Sequence, residues 1–301
     1  MRPVKLDFQP VTIEDRDVLQ SFFSCAPFRN CDFSFANIFC WKHLYNTTFA
    51  IEDGVLYIRF CVSDGIPGYL FPLGGDLGRA IDRIGADADV RGVPLRLYAV
   101  TCEMFDLIRA IYPSRFVYQS NRAWFEYIYL SEDLISLVGK RFQPKRNYIN
   151  RFTRNYEWEY LPVTREIIPD CLKLYGRWYL ENGGGASNVS LLEERRATET
   201  AFENFERLGL TGGALRVDGE VLAYSYGQPL GGDTFGVHAE KSLSGVEGGF
   251  AMINQQFAER NCGSYRYINR EEDLGLASLR KSKLSYMPSI LLEKGMVTRA
   301  C

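Results

Sequence analysis

YRYINREEDLGLASLRKSKLSYMP, residues 265–288, decides how this chain is read. Its first residues, Tyr265 to Ile268, form a short apolar run of strand type. An acidic turn follows at Glu271, Glu272 and Asp273, then a helical segment, Leu274 to Leu284, carrying Arg280, Lys281 and Lys283. A further strand is expected at Ser289 to Glu293. Strand, helix and strand in succession indicate a mixed α+β organisation. The density of both charge signs points to a site that handles an anion and a proton together.

Working outward, the same half opens with a helix from Pro169 to Asn182, with Leu172, Tyr175, Trp178 and Tyr179 at helical spacing. Ser190 and Glu193 read as a capping box for a second helix ending before Gly209. GALRV and EVLAYSYG flank Asp218-Gly219, a hairpin signal. A strand at Asp233 to Glu240 and a helix at Gly249 to Arg260 complete the upstream part. The first half gives the same order: helices at Thr12 to Ser24 and Ser34 to Tyr45, a hairpin at Asp53-Gly54, a strand at Gly68 to Phe71, and a helix at Asp76 to Arg91. Strand LRLYAV, a helix at Glu103 to Tyr112 and strand WFEYIYL close it. Each half therefore reads α-α-β-β-β-α-β-α-β. The expected domains are 1–130 and 157–301, each a mostly antiparallel sheet flanked by helices, joined by a basic linker helix at 131–156 that Pro144 interrupts.

Bulk properties remove several function classes. The net charge is −2 in 301 residues, so a general nucleic-acid binder is not indicated and any basic surface is local. Such a place exists: Lys140, Arg141, Lys145, Arg146, Arg151 and Arg154 occur with no acid among them. The eight cysteines form no C-x-x-C pair and only His43 and His238 are present, so no zinc site is expected. The cysteines read as reduced core thiols, which places the protein in the cytoplasm. No secretory leader and no membrane-spanning run are expected.

The order α-α-β-β-β-α-β-α-β resembles that of the Gcn5-related N-acyltransferase (GNAT) fold, here in tandem. That resemblance implies a glycine-rich turn before the third helix whose backbone N–H groups bind the pyrophosphate of an acyl-CoA. In this chain the turn is Ser244 to Ala251; Val246 stands where the signature has Gln or Arg, and Glu247 adds a negative charge. DFSFANIFCW (32–41), GKRFQPKRNYINRF (139–152) and NREEDLGLASLRKSKLSYMP (269–288) resemble the phosphatidylglycerol lysyltransferase C-terminal domain family, which is related to Fem-type aminoacyl transferases. The resemblance implies transfer of an aminoacyl group from aminoacyl-tRNA to a lipid headgroup or other hydroxyl or amine acceptor. The implied partners are charged tRNA and a phospholipid headgroup, with a peripheral place at the inner membrane face and no permanently bound cofactor. Two alternatives stay open: an acyl-CoA-dependent N-acetyltransferase, and a non-catalytic ligand-binding module.

Candidate residues follow from chemistry. Arg280 and Lys283, one helical turn apart, suit a single anion. Lys145, Arg146 and Asn147 lie on the basic segment, read either as a phosphate track or as a solvated face. Asp273 reads as a helix N-cap or as the receiver of an aminoacyl ammonium. Asn269 ends a central strand, and Tyr286 donates a proton or packs. His238 and Glu240 share a strand face by alternation, His238 as a base near neutral pH or as a structural residue. Asn37 and Trp41 share a helix face in the first half. His43, Tyr148 and Phe152 are expected in the core.

Overall fold

The computed structural model describes residues 5–62, 65–184 and 189–300. In chain order its elements are β1 (Gln9–Pro10), α1 (Arg16–Cys25), α2 (Phe35–Cys40), α3 (Lys42–Tyr45), β2 (Thr48–Glu52), β3 (Val55–Cys61), β4 (Pro67–Tyr69), α4 (Leu77–Arg91), β5 (Arg96–Thr101), α5 (Cys102–Ile111) and β6 (Phe116–Ser120). They continue with β7 (Glu126–Leu130), α6 (Ser131–Ser136), α7 (Gln143–Asn155), β8 (Trp158–Pro162), α8 (Ile168–Glu181), α9 (Val189–Glu203), α10 (Phe205–Leu208), β9 (Thr211–Val217), β10 (Glu220–Pro229), β11 (Thr234–Ser242), α11 (Gly249–Asn261), β12 (Tyr267–Glu272), α12 (Ala277–Leu284), β13 (Ile290–Leu292) and β14 (Lys294–Arg299). The elements expected from the sequence are present in order in both halves, with four further strands, β1, β6, β8 and β14, among the described residues.

The chain forms two compact units, and neither is contiguous. The first comprises 1–126, 272–280 and 291–301; the second comprises 127–271 and 281–290. These differ from the expected 1–130 and 157–301, because the final strand does not close the half that precedes it. β14 lies between β5 and β6 in the first sheet, ordered β1-β2-β3-β4-β5-β14-β6. It pairs antiparallel with both neighbours, with Gly295 opposite Val100 and Ser120. β7 belongs to the second sheet, β13-β7-β12-β11-β10-β9-β8. Both closing strands satisfy their backbone groups inside a sheet formed mainly by other parts of the chain. The segment 131–156 is not a linker either. α6 and α7 belong to the second unit, where Phe152 is fully buried beside Met252 and Ile253 of α11. Pro144 lies in the first turn of α7, where its missing N–H costs nothing, so it starts that helix rather than interrupting one.

In each unit a crossover helix links parallel strands: α4 connects β4 to β5, and α11 connects β11 to β12. The two hairpins are built alike. Asp53 and Gly54 have φ of 50° and 74°, and Asp218 and Gly219 have 49° and 83°, the paired positive values of a turn whose twist matches its strands. α4 is capped by Asp76, whose side chain accepts from Arg79 N at 2.8 Å, and it ends at Gly92 in the left-handed region. Asp87 of α4 is buried and accepts from Leu6 N, Tyr69 Oη and Arg91 Nε at 2.8, 2.8 and 2.7 Å. Burial alone would raise its pKa, but these donors hold it below the usual carboxylate value.

The second unit's core joins Tyr127, Tyr129, Phe235, Phe257, Ile268 and Tyr286. Of the residues expected in the core, Phe152 is buried, whereas Tyr148 is 45% exposed and His43 lies on the surface of its short helix. Cys31, Cys40, Cys171 and Cys262 are buried, Cys25 and Cys102 are exposed, and all the described cysteines are free thiols. No helix among the described residues is long and apolar enough to cross a membrane.

Candidate functional site

The second unit's central strands create its site. β11 and β12 run parallel in register over only three pairs, Thr234 with Tyr267, Phe235 with Ile268 and Gly236 with Asn269. Both strands continue beyond, so the side chains after Gly236 and Asn269 lie where the register has ended. A β-bulge starts the change. Ala239 faces Tyr226 and Val237 faces Gly227, which leaves His238 as the extra residue. A Cβ on Gly227 would sit 1.9 Å from the Gly236 carbonyl oxygen, so the close strand approach here requires glycine.

His238 Nδ1 and Glu271 Oε1 are 2.8 Å apart, and the His238 side chain is only 5% exposed. The carboxylate fixes the ring's orientation and tautomer. Glu271 reaches this position through a positive φ of 58°. Glu240 takes a separate partner: its Oε1 accepts from Arg270 Nη2 at 2.8 Å and its Oε2 from Asn254 Nδ2 at 2.9 Å. The bulge removes the strict alternation that would group His238 with Glu240. Asn269 is fully buried and its Oδ1 accepts from Glu271 N at 2.8 Å, shaping the turn rather than facing outward.

Arg270 stands over two aromatic rings, its Cζ 5.6 Å from the Tyr129 centroid and 4.8 Å from that of Tyr286. Burial would lower its pKa, but Glu240 overrides this and the guanidinium stays charged. Lys145 of α7 donates to Ser285 Oγ at 2.6 Å and lies 3.8 Å from the Tyr286 ring centroid. Burial first, and Arg270 second, pull its pKa down to about 8. Tyr286 is buried and its phenol is pushed well above 10 by that burial. Lys283 Nζ donates to the Arg270 carbonyl at 2.5 Å.

Other expected residues have local duties. Arg146 donates to the carbonyls of Leu137 and Gly139 and to Gln143 Oε1, tying down the loop between α6 and α7. Asn147 is exposed and accepts from Gln143 Nε2 at 2.9 Å. Arg151 pairs with Glu247 at 2.7 Å. The glycine-rich turn opens α11 at Gly248, φ 83°, and a Cβ there would sit 2.3 Å from the Tyr148 carbonyl oxygen of α7. Its N–H groups at Val246 and Gly249 already donate to Leu243 and Val246.

The first unit holds a second cluster. Lys294 Nζ is 2.6 Å from Asp32 Oδ2 and 2.5 Å from Glu272 Oε1, and it also contacts Glu126 Oε1. Cys31, Asp32, Glu126 and Glu272 offer donor atoms within 4.8 Å of one another, the spacing of a cation site, and the Lys294 ammonium sits among them. Lys294 is pushed well above its usual pKa: burial alone would lower it, but three carboxylates win. Glu126 shifts the other way from an ordinary ion-paired acid. Burial, aided by Glu272 and Asp32, raises it to about 7 despite Lys294. Nearby, Asp273 is fully buried and accepts from Arg280 Nε and Nη2 at 2.7 and 3.0 Å, from Arg122 Nη1 at 3.1 Å and from Gly275 N at 2.8 Å. It is not the N-cap of α12, which starts at Ala277. Arg280 and Lys283 therefore serve different partners instead of facing one anion. Asn37 donates to the Cys31 carbonyl at 3.2 Å, and Trp41, which ends α2, stacks on His43 at 6.4 Å.

Arg270, Glu271, Glu126 and Lys294 were not among the expected site residues. For Arg270 and Glu271 a signal existed, since both follow Asn269 at a strand end. For Lys294 none did, because its three partners lie far away in sequence.

The family model described as phosphatidylglycerol lysyltransferase, C-terminal, matches residues 23–297. A crystal structure of a conserved protein of unknown function from Bacteroides thetaiotaomicron is 42% identical with a TM-score of 0.94, covering 98% of this chain and 100% of that one. The structure of L-PGS from Bacillus licheniformis has a TM-score of 0.67 at 16% identity, covering 98% of this chain and 94% of that one. An uncharacterized protein of Mycoplasmoides gallisepticum is 23% identical over 198 residues, 64% of this chain and 61% of that protein. This chain thus spans less than two thirds of that curated relative. The fold these comparisons share is two seven-stranded mixed sheets flanked by helices.

Proposed function

This chain belongs to the phosphatidylglycerol lysyltransferase C-terminal family, and from that premise we propose that it transfers an aminoacyl group from aminoacyl-tRNA to a hydroxyl or amine acceptor. The observation that supports the reading most is the His238–Glu271 pair at the end of the β11–β12 register. A base held by a carboxylate, beside strands that have parted, suits proton removal from an attacking hydroxyl or amine. In the proposed step the acceptor's oxygen or nitrogen forms a bond to the aminoacyl carbonyl carbon. The ester bond to the tRNA ribose oxygen breaks. His238 takes the acceptor's proton and returns it to that departing oxygen. Positioning of the two substrates supplies much of the rate. The aminoacyl ammonium needs a carboxylate; Glu240 and Asp273 are already engaged by arginines, and Glu271 by His238. An acceptor carrying a phosphate, as a lipid headgroup does, would be held by cations of the same unit.

The acyl-CoA reading has less support. The turn before α11 spends N–H groups internally, carries the Arg151–Glu247 pair and lies against α7. The test is transfer of radiolabelled amino acid from a charged-tRNA mixture to phosphatidylglycerol vesicles or small amines. Transfer that falls at least about a hundredfold in His238→Ala, the scale of one general base, supports the reading. Wild-type turnover with acetyl-CoA and none with any charged tRNA overturns it.

A further inference from the structure

We propose that Arg270, Lys145 and Tyr286 form a binding site for one oxyanion, a phosphate or carboxylate group, in the second unit. Three observations carry it. The Arg270 side chain is 9% exposed, and its buried Nη1 has no hydrogen-bond partner among the described residues. A buried donor of a charged group left without an acceptor is costly, so it calls for a partner that the protein itself does not supply. Second, Lys145 Nζ and Arg270 Cζ lie 3.8 and 4.8 Å from the centroid of the same Tyr286 ring, bringing two cations to one aromatic side chain. Third, the charges facing Lys145 do not balance. Arg270 from β12 and Glu240 from β11 act on it, Glu240 is already bound by Arg270, and Ser285 and Tyr286 bring neutral groups. Positive charge is in excess, and a single oxyanion accepting from Arg270 Nη1 and pairing with the Lys145 ammonium corrects it.

The ring faces of Tyr129 and Tyr286 partly satisfy the guanidinium. That arrangement brings both cations to one ring; it does not neutralise them. Lys145 adds a pH response. It is protonated below about 8, and an anion binds the protonated form, so affinity is full below that value and falls as the pH rises through it. The inference rests on the transfer reading only for the molecule that carries the oxyanion. Binding of a simple ion is read without turnover, so the two fail separately.

The experiment is calorimetric titration of the full chain with sulfate, which keeps its charge across the range, at constant ionic strength. Acetate and phosphatidylglycerol vesicles are tested as competitors. Sulfate should bind saturably and weaken about tenfold between about pH 7 and about pH 9.5 as Lys145 deprotonates. Lys145→Gln, a half-buried substitution at a helix surface, should weaken binding about tenfold near pH 7 and flatten the pH profile. Arg270→Lys, checked for folding by circular dichroism, should weaken it further because the bidentate fork is lost. Competition by vesicles assigns the group to a lipid headgroup; competition by acetate alone assigns it to a soluble carboxylate. The proposal is overturned if folded wild-type protein shows no saturable binding of either simple anion, or if Lys145→Gln binds sulfate with unchanged affinity and pH dependence.

Discussion

The two units each bury an ion cluster, and the two are charged in opposite senses. In the first unit one lysine, Lys294, faces three carboxylates, Asp32, Glu126 and Glu272. In the second, Glu240 pairs with Arg270, and Lys145 feels the charge of both. Burial pushes Glu126 up to about 7, with Glu272 and Asp32 adding to it against Lys294, and burial pulls Lys145 down to about 8, with Arg270 adding to it. The contrast teaches what each cluster is for. The first joins four distant chain segments through one ammonium that fills its own cation position, so it reads as a structural tie. The second keeps a buried donor without an acceptor, so it reads as a receptor.

The comparison is broken most severely at Lys294. Lys294→Met should cost on the order of 3–5 kcal/mol in denaturant unfolding, because the fully buried Glu126 and the partly buried Asp32 and Glu272 lose their counter-ion. A loss below about 1 kcal/mol would mean that water or protonation already neutralises them. Arg270→Met should cost less, on the order of 2–3 kcal/mol, since only Glu240 is orphaned and Asn254 still donates to it. A larger loss at Arg270 than at Lys294 would reverse the two assignments. The pH response is smaller and sharpens the account. Glu126 has a folded pKa above its unfolded one, so the stability tied to its protonation is complete at acidic pH and is lost as the pH rises through about 7. Wild type should lose on the order of 1–2 kcal/mol between about pH 5 and about pH 8, and Glu126→Gln should flatten that slope. An unchanged slope in the variant would remove Glu126 from the explanation.

Local chemistry was legible in the sequence. Asp53-Gly54 and Asp218-Gly219 announced their hairpins because few residue pairs accept two positive φ angles in succession. Thus the duplicated element order was readable, and so was the resemblance carried by 269–288. Strand partnership was not. KGMVTR, residues 294–299, has no feature naming β5 and β6 as its neighbours, because that choice depends on distant backbone. Helical spacing likewise joined Arg280 to Lys283, whereas a turn at Gly275 brings Asp273 back to Arg280. The strand-end place of Arg270 was readable, but the contact that its Nη1 lacks was not, because periodicity carries no trace of one.

The central claim is aminoacyl transfer by the second unit, and one measurement addresses it most directly. Purified protein is given a mixture of radiolabelled charged tRNAs, phosphatidylglycerol vesicles and a small amine, and label recovered in either acceptor is compared between wild type and His238→Ala. The account predicts label in an acceptor with wild type and a loss of about a hundredfold or more in the variant. Label that stays on tRNA in both, in a preparation that turns over acetyl-CoA, would contradict it.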